Sequence, residues 1–328
     1  MRDKALQIMR VGAMTIIVVY HCLCYYGLWK QFSPGHVTLP FNNLLYTLSR
    51  VALILFVLIS GYLYGRSANR NATRRQTLKS KVSRLLIPYC IWSVIAIVIF
   101  SEGNYLHDFL QGTQHLWFLL MLFLIFAICI LFRLNRAKSI YLILISLVCV
   151  GISTTFSQAD GGSILTWKSV IRYLPAFLAG VIFAKNEVAQ RMRDFSTVQF
   201  ILVYAASFAA VIVFNIFMDS AWGFMLLYIS LIWWTFCNYI VVFRLVDNNK
   251  PAGRVLSAAD RHSMGIYLIH HLLLWGLFIF VPEICIFLDN HVFIGSVALI
   301  VLILSVSLAL SYILQANRYT RLLFDFKV

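Results

Sequence analysis

Long apolar runs separated by short polar segments recur along the whole chain, each near the roughly 20 residues that a helix needs to cross a bilayer. Ten are expected, at about 7–29, 43–64, 82–101, 115–132, 139–156, 169–185, 198–217, 221–243, 263–281 and 293–315. Inside a bilayer no water satisfies the backbone N–H and C=O groups, so runs of this length predict helices. The expected fold is all-α, a polytopic membrane bundle of about ten transmembrane helices. The position of the first run suggests a signal peptide. It is long for one, however, carries Arg10 and His21, and lacks a small-residue cleavage site after its apolar part, so it is expected to stay. The longest connection, about 65–81, cannot form a soluble domain. No Gly-rich phosphate loop, low-complexity tract or internal repeat is evident, and a single membrane-embedded domain over residues 1–328 is expected.

Composition agrees with this pattern: 61% of residues are hydrophobic, 12% are charged, and the mean hydropathy is +0.85. The net charge of +15 raises the question of a nucleic-acid partner, which the placement of Lys and Arg answers. Of the 27, 21 fall at the N-terminus, in Arg66–Lys81, Arg133–Lys138, Lys185–Arg193 and Arg244–Arg261, and in the tail after 315. The alternate connections hold two, Lys30 and Lys168. That asymmetry is a topology signal: both termini are expected in the cytoplasm, and nucleic acid is not an expected partner. The seven cysteines lie in or beside apolar runs without a metal-type repeat, so neither a disulfide framework nor a metal site is expected.

The ionisable residues inside the spans carry the chemical information, because each costs on the order of 2.5–3.5 kcal/mol on insertion scales. Arg10 and His21 are eleven residues apart, which returns a helix to within roughly 20° of its starting direction after about 16 Å. Both are therefore expected on one face of the first helix. Arg50, Arg84, His115, Arg172, His270 and His271 come from other spans and are expected to line a shared polar interior. Carboxylates are scarce in the spans, which leaves little for paired-acid or divalent-metal chemistry. His270 and His271 diverge by about 100° on a helix and cannot easily share one ion. Imidazole with arginine remains. Imidazole suits abstraction of a hydroxyl proton, and guanidinium suits a phosphate or a developing oxyanion.

Several stretches together resemble the acyltransferase-3 family of integral-membrane acyltransferases, which modify bacterial surface sugars. Arg10 and His21 match a signature of a basic residue, ten intervening residues and a histidine. FVLISGY at Phe56–Tyr62, KVSRLLIPY at Lys81–Tyr89, HLWFL at His115–Leu119, RYLPAFLAG at Arg172–Gly180 and GIYLIHH at Gly265–His271 are similar to further family segments, in order. Lys81 stands where arginine is commoner.

The resemblance implies an O-acyltransferase in the bacterial cytoplasmic membrane, transferring an acyl group, usually acetyl from acetyl-CoA, to a carbohydrate hydroxyl. On these residues it implies His21 as general base or covalent acyl carrier, with Arg10 beside it. Lys81, Arg84 and Arg10 would bind the phosphates of the acyl-CoA donor, with Lys79 and Arg75 as weaker contributors. Tyr25, Tyr26, Arg50, His115, Trp117 and His270 would face the acceptor. Expected partners are membrane lipid, acyl-CoA and a carbohydrate, with no metal. Two other classes fit a polytopic chain with intramembrane charges: a transporter or flippase of lipid-linked sugars, and a non-catalytic scaffold of polysaccharide assembly. The motif set and the missing repeat symmetry stand against the transporter, and the paired Arg10 and His21 against the scaffold.

Overall fold

The structure, a computed structural model, describes residues 4–24, 42–67, 73–100, 103–156, 163–217, 220–246 and 253–324. Among them there is no strand, and the fold is all-α. The helices are α1 (Lys4–Cys24), α2 (Asn42–Arg66), α3 (Arg74–Lys81), α4 (Ile87–Phe100), α5 (Tyr105–Gln111), α6 (Trp117–Leu131), α7 (Ser139–Ser153) and α8 (Trp167–Lys185). They continue as α9 (Val188–Arg193), α10 (Thr197–Ile216), α11 (Ala221–Leu245), α12 (Arg254–Phe280), α13 (Glu283–Asn290) and α14 (Val292–Ala316). Nine helical stretches in the described residues are long and apolar enough to cross a membrane. The expected fifth span is the shorter α7, 15 residues long and so about 22 Å.

Two compact units divide the chain, the first mainly Gln7–Leu53 with Pro251–Phe324, the second mainly Ile54–Lys250. In the first unit α14 returns along α12. Gly265 makes their close approach possible, since a Cβ there would overlap the Ser311 side chain. A polar layer closes this contact: His262 Nδ1 lies 3.1 Å from Ser311 Oγ, which also accepts from Gln315 Nε2 at 2.8 Å.

In the second unit α2 and α8 touch backbone to backbone at two glycines. A Cβ on Gly61 would overlap the Phe177 carbonyl, and one on Gly180 the Leu58 carbonyl. These glycines sit in the FVLISGY and RYLPAFLAG segments, so part of what those segments encode is close packing of small residues. α7 and α8 form an antiparallel hairpin matched at both ends. Ser139 Oγ donates to Asn186 Oδ1 at 3.3 Å at one end, and the Phe156 and Trp167 rings meet at 4.9 Å at the other. α10 and α11 pair through Tyr204 Oη donating to Asn238 Oδ1 at 3.0 Å. Arg244, at the end of α11, donates to the Met192 and Phe195 carbonyls at 2.7 and 2.6 Å, satisfying oxygens left open where α9 ends. Large apolar side chains face outward on α7, α10 and α14, among them Val148, Leu202, Ile216, Phe293 and Ile294, as a hydrocarbon solvent requires.

Candidate functional site

The first unit holds the most concentrated polar chemistry, on the facing sides of α1 and α12. Arg10 and His21 both turn toward α12, as their eleven-residue spacing predicts. Arg10 Nη2 lies 2.8 Å from Asp260 Oδ1 and donates to Oδ2 at 3.0 Å. Gln7 Nε2, one turn earlier on α1, donates to Oδ2 at 3.1 Å. Asp260 is buried, while 29% of the Arg10 side chain stays exposed. The expectation that Arg10 contacts donor phosphates therefore meets a carboxylate that already holds one of its amino groups. Eleven residues on, His21 Nδ1 lies 2.8 Å from His270 Nε2, and His270 Nδ1 lies 2.9 Å from the Ile266 carbonyl one turn back on α12. Between these two polar contacts the α1 stripe is apolar and buried, at Met14, Ile17 and Val18.

The order of the contacts shows that α1 and α12 run parallel: residue 10 meets 260, and residue 21 meets 270. Around the His21 ring stand His270, nearly coplanar with it at 11° and 5.1 Å, His271, edge-on at 5.2 Å, and Tyr20 at 5.5 Å. His21 is half-buried, whereas His270 and His271 are 0% and 2% exposed. An accessible imidazole backed by a buried one suits proton transfer, because the buried ring holds the accessible ring in place. Among the described residues no three His, Cys, Asp or Glu side chains are grouped to hold a metal ion.

The family model described as an acyltransferase domain matches residues 3–316 of the 328. The chain belongs to the acyltransferase-3 family. No curated protein and no solved structure shows a significant match to it.

In the second unit this acyltransferase carries its exposed basic segment on α3 and the turn after it. Thr73 caps α3 in a reciprocal box: its Oγ1 accepts from the Gln76 N–H at 3.2 Å, and Gln76 Oε1 accepts from the Thr73 N–H at 2.9 Å. Residues Val82–Leu86 then form a π-helical turn into α4. Pro88 accounts for the widening. It has no N–H to give the Arg84 carbonyl four residues back, and its ring crowds that oxygen, so the turn opens to the i→i+5 bond from Ile87 N–H to the Val82 carbonyl. Arg74, Arg75, Lys79 and Arg84 are exposed here. Lys81 is half-buried, its ammonium 3.8 Å from the centre of the Phe126 ring.

Of the residues expected to face an acceptor, His115 is buried in the Gln114–Leu116 turn that leads into α6. Trp117 is half-buried, its ring 6.1 Å from that of Tyr173 on α8. The neighbouring Arg172 is buried. Arg50 is half-buried on the part of α2 that belongs to the first unit. Tyr25 and Tyr26 lie outside the described residues. His270, also expected to face the acceptor, is fully buried, with its Nε2 against His21 Nδ1.

Sequence reasoning missed Asp260 and Gln7. Asp260 falls outside a ninth span drawn from 263, because hydropathy ends a span at its first charges, whereas α12 begins at Arg254. A signal was available. Asp260 precedes His270 by ten residues much as Arg10 precedes His21 by eleven, an echo expected of two parallel helices in contact at two levels.

Proposed function

We propose that this membrane acyltransferase moves an acetyl group from acetyl-CoA to a hydroxyl of a carbohydrate acceptor in the bacterial cytoplasmic membrane, with His21 as general base. The observation that carries the reading is the half-buried His21 imidazole held against the buried His270 ring at 2.8 Å. In the reaction the hydroxyl gives its proton to His21 as its oxygen bonds to the thioester carbonyl carbon. The C–S bond then breaks, and the CoA thiolate leaves, taking the proton from the imidazolium. The cations of the second unit, exposed Arg84, Lys79 and Arg75 with the half-buried Lys81, supply charge for the phosphates of the donor. The half-buried Trp117 ring offers aromatic surface of the kind sugar rings stack on, with the buried Tyr173 ring behind it. Arg10 enters through its pair with Asp260, which fixes the helix that carries His21.

The test uses purified protein in detergent, where there are no compartments to transport between, with acetyl-CoA labelled in its acetyl group. Release of CoA thiol with transfer of label to a glycoside hydroxyl is expected, and His21→Ala reduces it to background while the protein still purifies as a monodisperse species. An ordinary rate in His21→Ala removes the base assignment. No consumption of any acyl-CoA by the wild type removes the transfer reading and returns the transporter reading.

A further inference from the structure

The hydrogen-bond chain behind His21 fixes more than the position of its ring. A carbonyl oxygen can only accept, so the 2.9 Å contact with Ile266 places the N–H of His270 on Nδ1. A neutral imidazole has one N–H, which makes Nε2 of His270 an acceptor. The proton of the 2.8 Å contact then belongs to His21 Nδ1. With rings 11° from coplanar and centroids 5.1 Å apart, the two imidazoles meet edge to edge through these nitrogens, the geometry of an in-line hydrogen bond rather than of face-to-face stacking.

We propose that His270 is the positioning residue of the acyl transfer: it holds His21 in the Nδ1–H tautomer and so keeps the basic lone pair on Nε2. This rests on His21 being the general base. The chain runs from the Ile266 carbonyl to His270 Nδ1–H and from His270 Nε2 to His21 Nδ1–H, which leaves the lone pair of the His21 ring on Nε2. When Nε2 takes the hydroxyl proton, His21 becomes an imidazolium and its Nδ1–H bond to His270 becomes charge-assisted, so the contact strengthens where positive charge develops. His270 neither gains nor loses a proton in this step. Its burial serves the role, because a ring at 0% exposure on an i→i−4 bond to its own helix has little freedom to rotate away.

The experiment combines nitrogen NMR with kinetics on the full-length protein in nanodiscs. With histidine labelled by ¹⁵N, and the His21 signals assigned by their loss in His21→Ala, the wild type is expected to show His21 protonated on Nδ1 and bare on Nε2. His270→Leu, which removes the acceptor, is expected to lower kcat roughly 10²-fold, within the range that general-base catalysis contributes. The KM for acetyl-CoA stays within about twofold, as expected when the lost interaction matters only in the transition state. His270→Gln, whose side-chain oxygen can accept from His21 Nδ1–H, recovers a large part of that loss.

A wild-type His21 carrying its proton on Nε2 overturns the proposal, as does His270→Leu at the wild-type kcat. Should His270→Leu not insert, the wild-type spectrum and His270→Gln still decide. Loss of activity in His21→Ala with full activity in His270→Leu rejects this proposal alone. Full activity in His21→Ala rejects the general-base reading beneath it.

Discussion

Arg10 and Asp260 form the second tie between α1 and α12, and its energetics differ from those of the histidine pair. Asp260 is nearly withdrawn from solvent, and the Arg10 side chain keeps 29% of its surface. Removing one partner of a fully buried pair costs about 3–5 kcal/mol, and the exposure of Arg10 places this pair below that range. Asp260→Asn should therefore lower the midpoint of thermal unfolding in detergent. It should also reduce kcat, because His21 rides on the helix that the pair anchors. The exchange Arg10→Asp with Asp260→Arg should restore part of the stability. An unchanged midpoint in Asp260→Asn would mean the tie carries no load. The shared face of Arg10 and His21 was legible in the sequence because helical periodicity is rigid and two residues suffice to define a stripe. Their partners were not, since a stripe says which way a side chain points and not which helix lies opposite.

At the level of elements, the family-like segments separate into chemistry and packing. Gly61, Gly180 and Gly265 let backbones or small side chains touch, and helix association in a bilayer depends on such contacts because apolar burial gains nothing against lipid. KVSRLLIPY works differently: Pro88 turns what would be one straight helix into a π-turn junction, with Lys81 just before it and Arg84 inside it. Such a turn carries one residue more than an α-turn, so its loss would rotate α3 by about 100° relative to α4. Pro88→Ala restores an N–H for the Arg84 carbonyl and should favour the regular helix. If the basic segment binds the donor, the KM for acetyl-CoA should rise about tenfold, the loss of roughly one charge-assisted contact, with kcat changed little. An unchanged KM, with protein of normal stability, would separate the basic segment from the donor. The proline was visible in the sequence; its consequence was not, because a proline near a helix start is ordinarily harmless and only the backbone shows the widened turn.

For the whole molecule the open quantity is the number of crossings, and α7 decides it. At 15 residues it falls short of the nine long stretches, yet its two ends meet the two ends of the 19-residue α8, so it runs the length of a partner that is long enough to cross. Counting α7 gives ten crossings among the described residues, with α1 the first and α12 the ninth. Odd-numbered crossings pass in the same direction, which is how α1 and α12 run through their two contacts. Without α7, α12 becomes the eighth crossing and would have to oppose α1. The charge pattern agrees: Arg133, Arg136 and Lys138 lie before α7, and Lys168 alone in the first turn of α8. Single cysteines at Lys138 and Ile164, both exposed, test this on intact cells with a membrane-impermeant maleimide. Ile164→Cys should label from outside, and Lys138→Cys only after the membrane is opened. Labelling of both from the same side would take α7 out of the membrane and leave the parallel run of α1 and α12 in conflict with the crossing count.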